Sequence, residues 1–197
     1  MQKLRKELQF KGIRISNTEW DEVKKLFTKE CFEPKQMIHF TGDVMDKVYY
    51  ITKGVAKSYF LDENGKEIIW QIYFNKGNKE RKNITLEDSV SFYDQEGSSL
   101  AFEALDEVEC FSISFKQLEV LFASDAKWQY LGRMLTHEAY AVSFKRVISI
   151  MSENATQRFE RLLKENPSIF TSVKSYHIAA YLGITPSSFS RLKAKLA

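Results

Sequence analysis

Cysteine and histidine are scarce in this sequence, which has 2 Cys and 3 His in 197 residues. Cys31 and Cys110 lie far apart and form no CxxC motif, so no disulfide framework is expected and a reducing compartment is the simplest interpretation. His39, His137 and His177 are scattered along the chain. A cupin-like enzyme needs clustered His with Glu on barrel strands, so this class is disfavoured, and we predict no catalytic residues and no metal site.

Long apolar runs are also missing. No segment approaches 18 consecutive apolar residues, so no membrane span and no membrane partner are expected. The first residues, MQKLRKELQFKG, are charged and lack the apolar stretch of a signal peptide. These two observations predict a cytoplasmic protein.

Acidic residues are missing from the last part of the chain, since none follows Glu165. From residue 154 onward the sequence has 7 Lys or Arg and 2 acids, whereas the rest has 22 basic and 24 acidic residues. A basic end on a mildly acidic body is typical of a protein with a polyanionic partner. On charge alone, a solvated basic tail is an equally good interpretation.

Hydrophobic spacing divides the chain into three parts. Residues 1–30 have helical spacing, with Asn17 or Thr18 as a cap for the second piece. Residues 32–115 contain short β-prone runs, separated by turns such as Asn64-Gly65, in which both residues tolerate positive φ. A polar loop is predicted at residues 76–83. The pattern predicts a sandwich, barrel or roll with strands at Gln36–Phe40, Val48–Thr52, Val55–Leu61, Glu67–Phe74, Ser99–Glu103 and Val108–Ile113.

The chain is helical again from Lys116 onward, and Asp125 can cap a long helix that runs to about Ser152. Apolar residues alternate spacings of four and three along this helix, as in a coiled coil, and this favours a homodimer over a helix buried in one core. His137 is polar and fits a register-setting role better than a pH switch of the dimer. The predicted dimer seam is Tyr130, Met134, His137, Ala141, Phe144, Ile148 and Met151.

The last segment has the pattern of a helix-turn-helix. A helix at Val173–Leu182 precedes the tight turn Gly183-Ile184-Thr185, where Thr185 is the N-cap and Pro186 the first residue of a second, basic helix. Such a helix fits the major groove, where Arg191 can donate two hydrogen bonds to guanine. The predicted DNA-binding residues are Thr185, Ser187, Ser188, Ser190, Arg191, Lys193 and Lys195.

The sequence from Tyr176 to Leu192, YHIAAYLGITPSSFSRL, resembles the helix-turn-helix of the Crp/Fnr family in the form common among Bacteroidetes-type members. Phe40-Thr41-Gly42-Asp43 and Tyr50-Ile51-Thr52-Lys53-Gly54 are similar to turns of that family's sensor domain. The resemblance implies an α+β fold: an antiparallel β-roll similar to a cyclic nucleotide-binding domain, a long dimerisation helix, and a winged-helix-like helix-turn-helix. With no extension after the recognition helix, residues Ser168–Val173 are the candidate for a wing.

Three departures from the family concern the effector: Glu87, Asp88 and Ser98 occupy the positions of a glycine, a glutamate and an arginine. Relatives that bind cyclic nucleotides hold the phosphate with a Gly-Glu and, about ten residues later, an Arg-Ser. The matching positions form a degenerate effector pocket of Glu87, Asp88, Ser89, Ser98 and Ser99, without the arginine. Because a cyclic phosphate needs a cation, the resemblance implies weak or absent binding of cyclic AMP. An FNR-like iron–sulfur cluster needs about four thiolates, so we predict no cofactor.

These observations predict a dimeric Crp/Fnr-type transcription regulator that binds double-stranded DNA. Its domains are a sensor at residues 1–124, a dimerisation helix and hinge at 125–153, and a DNA-binding domain at 154–197. RNA polymerase and an unknown small-molecule effector are further candidate partners. The effector could lie in an apolar pocket among aromatic residues, although core packing is the favoured role of these side chains. The alternative functions are an interaction module that has lost DNA binding and the disfavoured cupin-like enzyme.

Overall fold

The computed structural model describes residues 1–75 and 84–195, and the structural statements below concern those residues. The polar loop predicted at residues 76–83 lies outside them. The strands are β1 (Thr28–Phe32), β2 (Met37–His39), β3 (Lys47–Lys53), β4 (Val55–Leu61), β5 (Glu67–Phe74), β6 (Thr85–Leu86), β7 (Ala101–Ala104) and β8 (Val108–Ser114). The helices are α1 (Gln2–Phe10), α2 (Asn17–Val23), α3 (Ser89–Asp94), α4 (Phe115–Ser124), α5 (Ala126–Ser152), α6 (Ala155–Glu165), α7 (Ile169–Ser172), α8 (Ser175–Leu182) and α9 (Pro186–Lys195).

The strands form two antiparallel four-stranded sheets, with strand orders β1-β8-β3-β6 and β2-β7-β4-β5. Their core contains Met45, Ile51 and Phe102, all fully buried. Side chains of both sheets share this core, which gives the β-roll predicted above. The predicted α+β class is therefore confirmed.

The predicted helical region at residues 1–30 is wrong at its end and at one cap. Residues 28–30 belong to β1, where Thr28 pairs with Ser112 and Phe32 with Val108. This pairing joins segments about 80 residues apart, so helical spacing in a local window does not reveal it. Helix α2 is capped by Ser16 rather than Asn17 or Thr18, because the Ser16 hydroxyl accepts the amide of Glu19 at 3.2 Å.

The predicted hairpin turn at Asn64-Gly65 joins β4 to β5, but only Gly65 has positive φ, at 76°. The carbonyl of Asp62 accepts the Gly65 amide at 2.9 Å, and one Asp62 carboxylate oxygen accepts the amides of Asn64 and Lys66. The aspartate therefore organises the turn, and Asn64 needs no left-handed conformation.

The C-terminal helices share a core with the β-roll. Buried Phe159, Ile178 and Phe189 belong to the same cluster as Ile69 and Ile72 of β5. The predicted wing at Ser168–Val173 is wrong, because this segment contains helix α7 and residues 154–195 include no strand. Six residues do not suffice for a paired wing, and here they contribute the buried side chain of Ile169 to the core.

Among the described residues, no helix is both long and apolar enough to cross a membrane.

Candidate DNA interface and sensor cavity

The turn between α8 and α9 has the predicted geometry. Gly183 adopts the left-handed conformation with φ of 68°, and the Ile184 amide donates to the carbonyl of Ala179 at 3.0 Å. The Thr185 hydroxyl accepts the amide of Ser188 at 3.2 Å and caps α9, which begins at Pro186. Ala179 is fully buried, and its small side chain lets α8 and α9 approach closely. Local sequence signals were sufficient for this motif.

The outer face of α9 carries the predicted DNA-binding residues. Arg191, Lys193 and Lys195 are exposed, and no ion pair to them occurs among the described residues. The Arg191 guanidinium donates to the hydroxyl of Ser188 at 3.2 Å, which places the cation over the first turn of α9. Ser190 donates to its own helix backbone, at the carbonyl of Pro186. Thr185 and Ser187 are exposed, and Ser188 is half-buried.

His177, the histidine of this motif, is a packing residue of α8. It is 9% exposed, and its ring centroid lies 3.9 Å from that of Tyr176. Burial lowers the pKa of His177 to about 4, with a further contribution from the charge of Lys57, while Glu67 opposes the shift. The imidazole is therefore neutral in the folded protein at pH 7, where α8 meets the β-roll.

This shift predicts an acid-sensitive fold. The unfolded chain takes up a proton on His177 near pH 6.5, whereas the folded chain does so near pH 4, so stability is complete above pH 6.5 and falls as the pH drops toward 4. We expect His177 to account for about 2 kcal/mol of lost stability between pH 7 and pH 5. Urea unfolding of wild type and His177→Gln at both pH values measures it. An equal pH dependence in the two proteins would contradict the assignment.

Three arginines hold the junction between the long helix and the C-terminal helices, and the sequence analysis missed them. Arg158 donates to the carbonyls of Glu153 and Leu182, and Arg161 to the carboxylate of Glu153. Arg146 donates to the carbonyls of Ile69 at 2.8 Å and Tyr181 at 2.9 Å, so it joins α5, β5 and α8. Local spacing does not mark Arg146, because Val142, one helical turn before it, is itself 36% exposed.

Helix α5 has two different faces. Trp128 and Leu131 are buried against the chain's own core. The predicted seam lies on the other side, where Tyr130, Phe144, Ile148 and Met151 are 45%, 52%, 47% and 80% exposed. His137 is exposed as well, and Met134 and Ala141 are half-buried. An exposed apolar stripe of this size is typical of a surface that contacts another molecule.

The degenerate effector pocket is closed upon itself by hydrogen bonds. The hydroxyl of Ser98 donates to the carboxylate of Asp88 at 2.7 Å and accepts the Leu100 amide at 3.0 Å. Asp88 also caps α3, because its other oxygen accepts the amide of Val90. Ser98, in the place of the family's arginine, is 2% exposed. Two positions of the predicted phosphate-binding cassette, Asp88 and Ser98, are therefore hydrogen-bonded to each other.

Glu87 places a further acidic side chain next to Asp88. Burial raises its pKa, and the nearby charge of Asp88 raises it further, whereas a hydrogen bond from Ser89 opposes both effects. Among the described residues, no ion pair to Glu87 or Asp88 occurs. The local charge repels a phosphate.

A cavity of about 1460 Å³ lies between the β-roll, α5 and the C-terminal helices. Of the predicted effector-pocket residues, Glu87, Asp88, Ser89 and Ser99 line it, whereas Ser98 does not. Its wall is mainly apolar and includes the aromatic side chains of Trp70, Tyr73 and Tyr93. Among the described residues, no group of three His, Cys, Asp or Glu is placed to hold a metal ion.

Comparison with known proteins agrees with this architecture. Residues 29–125 match the family model of the cyclic nucleotide-binding domain. Solved structures with a similar fold include FixK2 from Bradyrhizobium japonicum (TM-score 0.72, 16% identity, 86% of this chain and 84% of that chain). A second is CLP, a c-di-GMP-responsive global regulator from Xanthomonas campestris (0.64, 13%, 91% and 91%). A third, from Eubacterium rectale, is assigned to the Crp/Fnr family of transcriptional regulators (0.65, 16%, 90% and 82%). No curated protein sequence matches the chain.

The predicted resemblance is confirmed at the level of fold. Two of these neighbours are described as regulators, and the similarity shows that this chain shares their fold.

Proposed function

We propose that this chain, which shares its fold with Crp/Fnr-type proteins and matches the cyclic nucleotide-binding domain at residues 29–125, is a dimeric, sequence-specific DNA-binding transcription regulator that does not respond to cyclic AMP. The observation that carries the proposal is the face of α9. A glycine turn and a threonine cap present a basic helix whose Arg191, Lys193 and Lys195 are exposed. Proteins of this kind place such a helix in the major groove.

The proposed contacts divide into two groups. Arg191, near the middle of α9, reads guanine through two hydrogen bonds, and Lys193 and Lys195 neutralise phosphates. Thr185, Ser187, Ser188 and Ser190 supply hydroxyl groups at the first turns of α9, although Thr185 and Ser190 already bond within the helix. A two-fold dimer built on α5 would present two such helices to half-sites about 34 Å apart. RNA polymerase is a candidate partner in the cytoplasm.

DNA binding is tested by fluorescence anisotropy on the protein's own upstream promoter and on a scrambled duplex, over a series of salt concentrations. We expect tighter binding to the promoter and a steep loss of affinity as salt rises, because binding releases counterions from the DNA. Arg191→Ala should cost about 1–3 kcal/mol on the promoter. Lys164→Ala is the matched control, since Lys164 is an exposed basic residue of α6, away from α9.

Equal binding to both duplexes that does not respond to salt would contradict this proposal. That result would favour the alternative function, an interaction module that keeps the fold without reading DNA.

Cyclic AMP is expected to give no saturable binding at micromolar concentrations in calorimetry. The reason is that Asp88 and Ser98 bond to each other and that the predicted cassette lacks the arginine that would pair with the phosphate. Glu87→Gln removes one acid while leaving the arginine absent, so it should remain a weak binder. Micromolar affinity of the wild-type protein for cyclic AMP would show that this cassette still works.

A further inference from the structure

Arg146 is a half-buried cation that has no anionic partner in the part of the chain that the structure describes. One guanidinium nitrogen, Nη2, donates to two backbone carbonyls, and the guanidinium lies 3.9 Å from the ring centroid of Tyr181. Its Nε is buried and has no hydrogen-bond partner among the described residues. No ion pair to Arg146 occurs there either. Leaving a buried donor of a charged group without an acceptor costs free energy, so an acceptor near this guanidinium would stabilise the arrangement.

Neighbouring groups also change the electrostatic surroundings of Arg146. Burial lowers the pKa of Arg146, its interaction with Tyr181 opposes that shift, and the nearby charges of Arg161 and Arg158 lower the pKa further. The nearby acid Glu153 is engaged by Arg161 and Ser149. The junction between the long helix, β5 and the C-terminal helices therefore carries excess positive charge.

Arg146 also lines the cavity described above, at the end formed by β5, α5, α6 and α8. Its neighbours in that wall are mainly apolar and include Trp70, Tyr181, Leu162 and Ile169. Ligand cavities are commonly apolar with a few polar groups that orient the ligand. Here the guanidinium of Arg146 can orient one, through the N–H groups at Nε and Nη1 that have no acceptor among the described residues.

We propose that this interdomain end of the cavity binds a monocarboxylate with an apolar body, whose carboxylate accepts hydrogen bonds from the N–H groups of the Arg146 guanidinium that do not bond to the described part of the protein, at Nη1 and Nε. The apolar body lies against Trp70, Leu162 and Ile169. A doubly charged phosphate is a poorer fit, because the wall is mainly apolar and also includes the acid Glu165. The site is distinct from the Glu87–Ser98 cassette, where acids repel any anion.

The first test uses the wild-type protein without DNA, so its failure would leave the DNA-binding proposal intact. Sodium decanoate and decan-1-ol, which share an apolar chain, are titrated below their aggregation concentrations by calorimetry. Tryptophan fluorescence reports the same event because Trp70 lines the site. Decanoate should bind roughly tenfold more tightly than decan-1-ol or better, through its charged hydrogen bond. No decanoate binding, or equal binding of the two, would overturn the proposal.

The second test replaces the cation. Arg146→Met keeps an unbranched side chain and should abolish the preference for decanoate. Arg133→Met is the matched control, because Arg133 is exposed on the same helix and packs on the ring of Tyr130 instead. It should retain the wild-type preference. A folded Arg146→Met that still prefers decanoate would refute the role of Arg146, and if this variant does not fold, the wild-type comparison decides the question.

Discussion

Phe144→Asp is expected to weaken self-association of the chain by roughly a hundredfold or more, because a carboxylate would be buried in the apolar face of two α5 helices. Phe144 is 52% exposed in the single chain and stacks on Tyr140, with ring centroids 5.7 Å apart. It belongs to the predicted seam, so each copy in a dimer built on α5 would bury one added charge. Analytical ultracentrifugation over a concentration series measures the change.

The same substitution at Val120 is the control for Phe144→Asp. Val120 is 66% exposed on α4, away from the seam of α5. Val120→Asp should leave self-association unchanged. A Phe144→Asp protein that sediments like wild type would exclude α5 as the dimer interface, and a promoter affinity that is unaffected by loss of the dimer would exclude two-fold recognition of half-sites.

Phe159→Ala is expected to destabilise the C-terminal domain by about 3–5 kcal/mol, since it leaves a cavity at the centre of its core. The Phe159 side chain is 2% exposed. Its ring centroid lies 5.2 Å from that of Phe170 and 5.5 Å from that of Phe189, so one ring connects α6, α7 and α9. The recognition helix depends on this contact for its position, and promoter binding should fall together with stability.

Leu163→Ala on the same helix is the control for Phe159→Ala, because Leu163 is 36% exposed and loses less buried area. We expect a cost below about 1 kcal/mol there. Urea unfolding monitored by circular dichroism compares the two variants. Similar losses for both would show that the aromatic cluster does not carry the stability of this domain.

The candidate DNA interface was predicted from sequence because its signals are local. Gly183 needs a left-handed conformation, and Thr185 lies three residues before the amide that it caps. The same holds for Asp125, which caps α5 as predicted, and for Asn154, which caps α6. Each of these signals acts within one helical turn, so no distant contact is needed to interpret it.

The candidate effector site was predicted less completely. The resemblance placed Glu87, Asp88 and Ser98 in one cassette, but it did not reveal that Ser98 donates to Asp88 and lies outside the cavity wall. Hydrogen bonds between segments ten residues apart depend on the direction of both backbones. Only the three-dimensional structure supplies these directions.

By itself, the sequence determined six of the eight β-roll strands of the described residues, the extent of α5, the helix-turn-helix and the basic character of α9, because periodicity, caps and charge are properties of neighbouring residues. Tertiary structure alone decided that residues 28–30 belong to a strand that pairs with β8, that α8 packs on β5, and that Arg146 joins three elements at a cavity. These features arise from contacts between segments 35 to 110 residues apart, such as Arg146 with Tyr181 and Tyr181 with Gln71. Burial and partner geometry at such distances override local preference.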